Sequence, residues 1–279
     1  MARITTATIK EKKRRQERIT MLTAYDYSMA GMVDQAGIDM ILVGDSLGNV
    51  MLGYENTLAV TMDDMVHHTK AVTRAVKNAL VVGDMPFLSY HISLEEAVRN
   101  AGRLIQEGGA QAVKIEGGTE RVNTVKAILD AQIPVMGHIG LTPQLVNAFG
   151  GFKVQGKDLE TARKLIRDAQ ALDKAGVFAL VMECVPSELA RRITEEVSCP
   201  TIGIGAGPYC DGQVLVINDM LGMYGGHVPK FVKKFVDLQP LIIEALKNYK
   251  EEVESGAFPS AEHCFTIQDE VLDKLYGGS

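Results

Sequence analysis

The stretch MILVGDSLG, residues 40–48, runs four apolar residues straight into Gly-Asp-Ser. An unbroken apolar run of that length fits a strand buried on both faces, as in a parallel sheet covered by helices. The acid that follows then stands at the strand's carboxyl end. The pattern returns along the chain in ITMLTAY (19–25), LVVGDMP (80–86), AVKIEGG (112–118), PVMGHIG (134–140), ALVMECV (179–185), PTIGIGA (200–206) and QVLVIND (213–219). With MILVGDS (40–46), that makes eight short runs.

Longer stretches of helical period separate them. In SLEEAVRNAGRLIQEGG (93–109), Leu94, Ala97, Val98, Ala101, Leu104 and Ile105 share one helix face. Ser93 is placed to cap its start and Gly108 to end it. DLETARKLIRDAQALDKAG (158–176) and MDDMVHHTKAVTRAV (62–76) repeat the spacing. Eight strands alternating with helices predict an α/β fold, a (β/α)8 TIM barrel; an open doubly wound sheet is the alternative. The length, 279 residues, suits one such barrel, which takes about 250. An N-terminal helix precedes the first strand. Its basic cluster, Lys10, Lys12, Lys13, Arg14 and Arg15, is interrupted by Glu11 and Glu17 and reads as a solvated face rather than a polyanion site. Extra C-terminal helices are expected within 229–254. Residues 1–265 read as a single catalytic barrel domain and 266–279 as a tail.

A net charge of −6 gives no global reason to expect nucleic acid or an anionic membrane as partner. No apolar run approaches the ~18 residues of a membrane span, and no secretory signal is visible. Cys184, Cys199, Cys210 and Cys264 form no CxxC pair. Reduced thiols in a cytoplasmic protein are expected, and zinc is not.

In a parallel barrel all strand C-termini reach one rim. Collected there are Asp45 and Ser46, Asp84, Lys114 and Glu116, His138, and Glu183. Crowded carboxylates repel unless a divalent cation, a basic partner or a shared proton holds them. Hard oxygen ligands at irregular spacing suit Mg²⁺. Glu183, between apolar residues in VMECVP, is expected to be partly desolvated. It reads either as a general base with a raised pKa or as a structural partner of Lys114 or His138. His138 either orients a substrate oxygen or is a satisfied structural histidine. His67 and His68 read as surface or packing residues. Residues 141–158, with Gly150, Gly151 and Gly156, form either a lid or a rigid loop. GIGAG (203–207) is a phosphate loop or, better, a point of tight packing.

The ordered set TAYDYSMA, VGDSLGNVMLGYENTLAVTMDDMVHHTKAV, GDMPF, VKIEGG, GHIGLTPQ, FGGFKVQG, ECVP, IGIGAG, DGQVLV and PKFVKKF resembles the ketopantoate (3-methyl-2-oxobutanoate) hydroxymethyltransferase family from about residue 4 to 265. The resemblance implies a (β/α)8 barrel of the isocitrate lyase and phosphoenolpyruvate mutase group. It also implies hydroxymethyl transfer from 5,10-methylenetetrahydrofolate to 3-methyl-2-oxobutanoate through a Mg²⁺-stabilised enolate, in pantothenate biosynthesis. Carried over by position, Asp45 and Asp84 match metal ligands and Glu116 a third acidic group acting through water. Asp45, Ser46, Asp84 and Lys114 match contacts to the 2-oxo acid, His138 a histidine near the substrate, and Glu183 the proton acceptor. Homo-oligomers, often decamers, are implied as well. Cys264 stands where the family commonly has Ser. A lyase or mutase of the same superfamily is the alternative activity, and a non-catalytic ring-forming scaffold a more distant one.

Overall fold

The computed structural model describes residues 3–145, 147, 153–223, 225–226 and 228–277. All eight expected strands are present, and they close into a barrel in the order β1 to β8. They are β1 (Ile19–Thr23), β2 (Met40–Val43), β3 (Leu80–Asp84), β4 (Ala112–Glu116), β5 (Val135–Gly140), β6 (Ala179–Glu183), β7 (Thr201–Ile204) and β8 (Gly212–Leu215). Every neighbouring pair is parallel, and β1 meets β8 with Ile19 opposite Gly212. The open doubly wound sheet is thereby excluded.

The helices are α1 (Thr6–Arg14), α2 (Tyr27–Gln35), the single turn α3 (Leu47–Val50), α4 (Met62–Ala75), α5 (Leu94–Gln106), α6 (Val122–Asp130), α7 (Leu159–Ala175), α8 (Ser187–Glu196), the single turn α9 (Ile217–Met220), α10 (Leu238–Ser255) and α11 (Asp269–Leu275). Local chemistry sets their ends. Ser93 accepts a hydrogen bond from the Glu96 N–H at the start of α5, and Asp158 does the same for Thr161 at the start of α7. Gly176, at φ +106°, closes α7 in the left-handed conformation.

Side-chain alternation along the strands divides the core in two. Outward residues such as Ile41, Val81, Val113 and Ile115 pack beneath the helices. Inward residues, among them Met21, Met40, Leu42, Val82, Ala112, Met136 and Val181, fill the barrel. Strand period is two, so Asp84 follows Val82 on the inner face, Lys114 and Glu116 follow Ala112, His138 follows Met136, and Glu183 follows Val181. Register then sets these side chains beside one another: Asp84 pairs with Lys114 and Glu116 with His138 across adjacent strands.

Helix α1 lies at the other end of the barrel, where its Ile9 is fully buried in the interior cluster. Its basic cluster departs from a solvated face. Lys12 pairs with Asp39 at 2.5 Å and Lys13 with Asp211 at 3.0 Å. Lys10, and Arg14 and Arg15, both paired with Glu11, keep the exposed role. At the C-terminal end, α10 forms in the expected region, running one residue past residue 254, but buries no residue. It presents Leu241, Ile242, Ile243, Leu246, Tyr249 and Val253 to its surroundings. Beside β1 and β8 runs an open groove of about 1300 Å³ with Leu22, Met29, Met32, Val33, Leu215 and Phe235 among its lining. Among the described residues no helix is long and apolar enough to cross a membrane.

Candidate active site

Asp45, Ser46, Asp84, Lys114, Glu116, His138 and Glu183 all line one cavity of about 180 Å³ at the carboxyl ends of the strands. Thr23, Asn49, Asp219 and Phe231 also face it. The buried strands below hold the acids in place. Asp84, Lys114, Glu116 and His138 are each at most 3 % exposed, and Asp45 is 5 % exposed.

The charges are arranged in sequence around the mouth. Lys114 Nζ lies 2.9 Å from Asp84 Oδ2, which also accepts the Asp45 backbone N–H at 3.3 Å. His138 Nδ1 sits 3.2 Å from Lys114 Nζ and 3.4 Å from Glu116 Oε1. On its other side, His138 Nε2 is 3.3 Å from Glu183 Oε2. Of the two partners considered for Glu183, His138 is therefore the one that meets it, and Lys114 is occupied by Asp84. Glu183 keeps 18 % of its side chain exposed, so it is less desolvated than its apolar neighbours in sequence suggest.

Burial wins at two groups of this cluster and is outweighed by neighbouring charges and hydrogen bonds at three. It pushes Asp45 well above the ordinary carboxylate range, helped by the charges of Asp84 and Glu116. Asp84 is also raised by burial, against the pull of Lys114. Glu116 goes the other way: burial opposes its charge, but His138, Lys114 and the Gln144 N–H hold its pKa down. Lys114 stays a cation despite burial because three carboxylates surround it. For His138, burial and the Lys114 charge oppose protonation, but Glu116 and Glu183 outweigh them and raise it to about 9.

Whether a cation suits these residues can be tested on their unmet hydrogen-bonding capacity. Asp84 Oδ1 is buried and lacks a hydrogen-bond partner among the described residues, while Glu116 Oε1 and His138 Nε2, also buried, have only the longer ionic contacts with His138 Nδ1 at 3.4 Å and Glu183 Oε2 at 3.3 Å. Buried carboxylate oxygens without a donor are costly and unusual. Among the described residues, however, no three His, Cys, Asp or Glu side chains come together as a complete ligand set. The fit is to a hard cation held by a pair of carboxylates, with water and substrate oxygens completing its shell, which is how Mg²⁺ is usually bound.

GIGAG serves packing. A Cβ on Gly205 would lie 2.7 Å from the Phe231 ring, and one on Gly207 would lie 2.4 Å from the Ser187 Cβ. Both have positive φ. Cys184, next to Glu183, is half-buried, and burial raises its thiol to about 11. His68 packs with its Nδ1 2.7 Å from the Tyr25 carbonyl, while His67 faces outward. Gly150 and Gly151, in the segment read as either a lid or a rigid loop, and His227 lie outside the described residues.

Three residues escaped the sequence reading. Tyr25 is fully buried and its Oη lies 2.8 Å from Ser46 Oγ. Gln144 and Tyr90 form a buried pair beneath the acids. Tyr25 stands in TAYDYSMA, two residues past β1, and Gln144 in GHIGLTPQ, four past β5, but nothing at either position marks its partner.

Residues 3–261 match the family model described as ketopantoate hydroxymethyltransferase. A 3-methyl-2-oxobutanoate hydroxymethyltransferase of Syntrophomonas wolfei subsp. wolfei is 78 % identical over 276 residues, covering 99 % of this chain and 100 % of that protein. One from Clostridium novyi is 63 % identical, covering 98 % of this chain and 99 % of its own. Among solved structures, a phosphonopyruvate hydrolase complex with oxalate and Mg²⁺ superposes with a TM-score of 0.61 at 12 % identity, over 98 % of this chain and 95 % of the other. A 2,3-dimethylmalate lyase of the PEP mutase/isocitrate lyase superfamily gives 0.57 at 14 %, over 98 % and 94 %. These two likenesses concern the barrel alone. With the family model spanning nearly the whole barrel and full-length relatives above 60 % identity, the chain belongs to the ketopantoate hydroxymethyltransferase family of transferases.

Proposed function

We propose that this chain transfers a hydroxymethyl group from 5,10-methylenetetrahydrofolate to 3-methyl-2-oxobutanoate, giving ketopantoate for pantothenate synthesis. The observation that carries the reading is the single buried mouth in which three carboxylates, a lysine and a histidine face Glu183. Asp45 and Asp84 would hold Mg²⁺, with Glu116 as the third acidic group beside it. When bound, the ion supplies Lewis acidity that polarises the 2-oxo group and so acidifies the adjacent C3–H.

The chain's own residues do the rest. Lys114, a fixed buried cation, offsets the substrate's carboxylate charge. Ser46 and His138 bind and orient the 2-oxo acid. Glu183, the most exposed acid of the charged ring, accepts the C3 proton. The electron pair left at C3 forms the new bond to the one-carbon unit. Water supplies the hydroxyl oxygen, and tetrahydrofolate leaves. Deuterium exchange at C3 in labelled water tests this assignment. Glu183→Gln should bind the metal and stop the exchange; exchange at the wild-type rate in that variant would end the case for Glu183 as the base.

We further propose that residues 1–265 act as one catalytic domain with 266–279 as a tail, and that the protein works in the cytoplasm as a homo-oligomer, a decamer by family resemblance. Support for self-association comes from the bare apolar stripe of α10 and the apolar groove beside β1 and β8. Neither nucleic acid nor a membrane has a part in this reading.

A further inference from the structure

Gln144 stands in the one-turn helix Pro143–Leu145 after β5 and is 2 % exposed. Its side-chain amide uses both N–H donors and its oxygen inside the protein. Nε2 donates to Asp45 Oδ2 at 2.9 Å and to the Met85 carbonyl at 2.9 Å. Oε1 accepts from Tyr90 Oη at 2.7 Å. The Gln144 backbone N–H donates to Glu116 Oε2 at 3.1 Å. One residue thus grips two of the three clustered carboxylates, which arrive from different strands.

The amide cannot turn over. A flipped amide would set Oε1 against the Asp45 carboxylate and the Met85 carbonyl, acceptor against acceptor, and Nε2 against Tyr90. Tyr90 enforces the orientation. Its hydroxyl accepts the Glu116 N–H at 3.1 Å, and of the two acceptors open to its own proton, Gln144 Oε1 at 2.7 Å is nearer than the Glu116 carbonyl at 3.3 Å. Glu116 is therefore held twice, at its backbone by Tyr90 and at Oε2 by Gln144. What remains of Glu116 is Oε1, which is buried and makes no hydrogen bond among the described residues, its nearest charged neighbour being His138 Nδ1 at 3.4 Å. Asp84 is fixed independently: Lys114 and the Asp45 N–H take Oδ2, and Oδ1 is left unpartnered.

We infer that Gln144 is a positioning residue that selects which oxygen of Asp45 and which of Glu116 is presented to a divalent cation, with Tyr90 locking its amide. This rests on the metal reading of the site given above. Gln144 occupies the Oδ2 of Asp45 and the Oε2 of Glu116, so each carboxylate would have its other oxygen left to face the ion. Partners that orient metal ligands in this way typically contribute 10–100-fold to metal affinity. Because Asp84 does not depend on Gln144, its loss should weaken metal binding without abolishing it.

The experiment is Mn²⁺ binding to the full-length protein, followed by calorimetry and by the electron paramagnetic resonance spectrum of the bound ion. Gln144→Met keeps length and volume and removes every side-chain hydrogen bond. Folding is checked by its circular dichroism spectrum. We expect Mn²⁺ affinity 10–100-fold below wild type and a broadened spectrum, as Asp45 loses its unique orientation while Glu116 keeps the backbone N–H of residue 144. Affinity within twofold of wild type and an unaltered spectrum in the folded variant would overturn the inference, even if turnover fell. Should Gln144→Met not fold, Tyr90→Phe decides: it should weaken Mn²⁺ several-fold, and unchanged binding would overturn the inference. Asp84→Asn separates the two readings. If wild type binds Mn²⁺, Asp84→Asn loses it and Gln144→Met retains it fully, only the role of Gln144 falls. If wild type itself does not bind Mn²⁺, the metal reading falls with it.

Discussion

Lys114 and Asp84 face each other from adjacent strands, in direct register, with 2.9 Å between Nζ and Oδ2 and almost no exposure to water. Removing one partner of such a pair leaves a buried charge uncompensated, which costs roughly 3–5 kcal/mol. Lys114→Met should therefore unfold at lower denaturant concentration in metal-free buffer. Added Mg²⁺ should restore part of the loss, because it supplies positive charge to the same carboxylates. Equal stability of variant and wild type without metal would show that the acids are already neutral in the folded protein.

Glu183 faces the cavity and contacts His138, but it props up no part of the barrel. Glu183→Gln should lower kcat by about 10²–10⁴, the usual contribution of a general base, with little change in unfolding midpoint. A large stability loss with modest loss of turnover would recast Glu183 as a structural partner of His138.

Asp34, at the end of α2, accepts N–H bonds from Lys77, Asn78 and Ala79 at 3.0, 3.0 and 2.8 Å. Burial opposes its charge, but these donors hold its pKa below the ordinary aspartate value. A depressed folded-state pKa gives stability that is present above the unfolded value of about 4 and fades as pH falls through the folded one. Asp34→Ala should cost roughly 1–3 kcal/mol at neutral pH and progressively less below pH about 4. Denaturant titrations at several pH values check this; a cost that does not shrink on acidification argues against the linkage.

Gly205 combines a φ of +64° with the Phe231 ring close behind it. Gly205→Ala should be destabilising by roughly 1–3 kcal/mol through strain and overpacking. Since the loop serves packing, millimolar phosphate should leave the wild-type melting temperature unmoved, which a thermal shift assay reads directly.

On α10, Leu246 is 63 % exposed within the apolar stripe. If that stripe is covered by another copy, Leu246→Glu should reduce the mass measured by light scattering while the circular dichroism spectrum is retained. An unchanged mass would move the interface elsewhere.

Much of the barrel was legible in the chain because its strands are buried on both faces and read as unbroken apolar runs. Their ends were less so: AVKIEGG extends past the true end of β4 at Glu116, since glycines after a strand look like its continuation. The acids of the mouth could be read because each follows its own strand. Gln144 could not, because its importance is set by Tyr90, 54 residues away in sequence. Lys12 and Lys13 were misread for the same reason: Asp39 and Asp211, which take them out of solvent, are distant in sequence.

Because β1 is zipped to β8, the first strand made on the ribosome must wait for the last before either edge is satisfied. Closure over so long a separation is entropically slow, and the half-made sheet is sticky while it waits. Catalytic competence therefore arrives late and all at once during biogenesis, and a chain arrested before Leu215 has an open sheet in place of a ring.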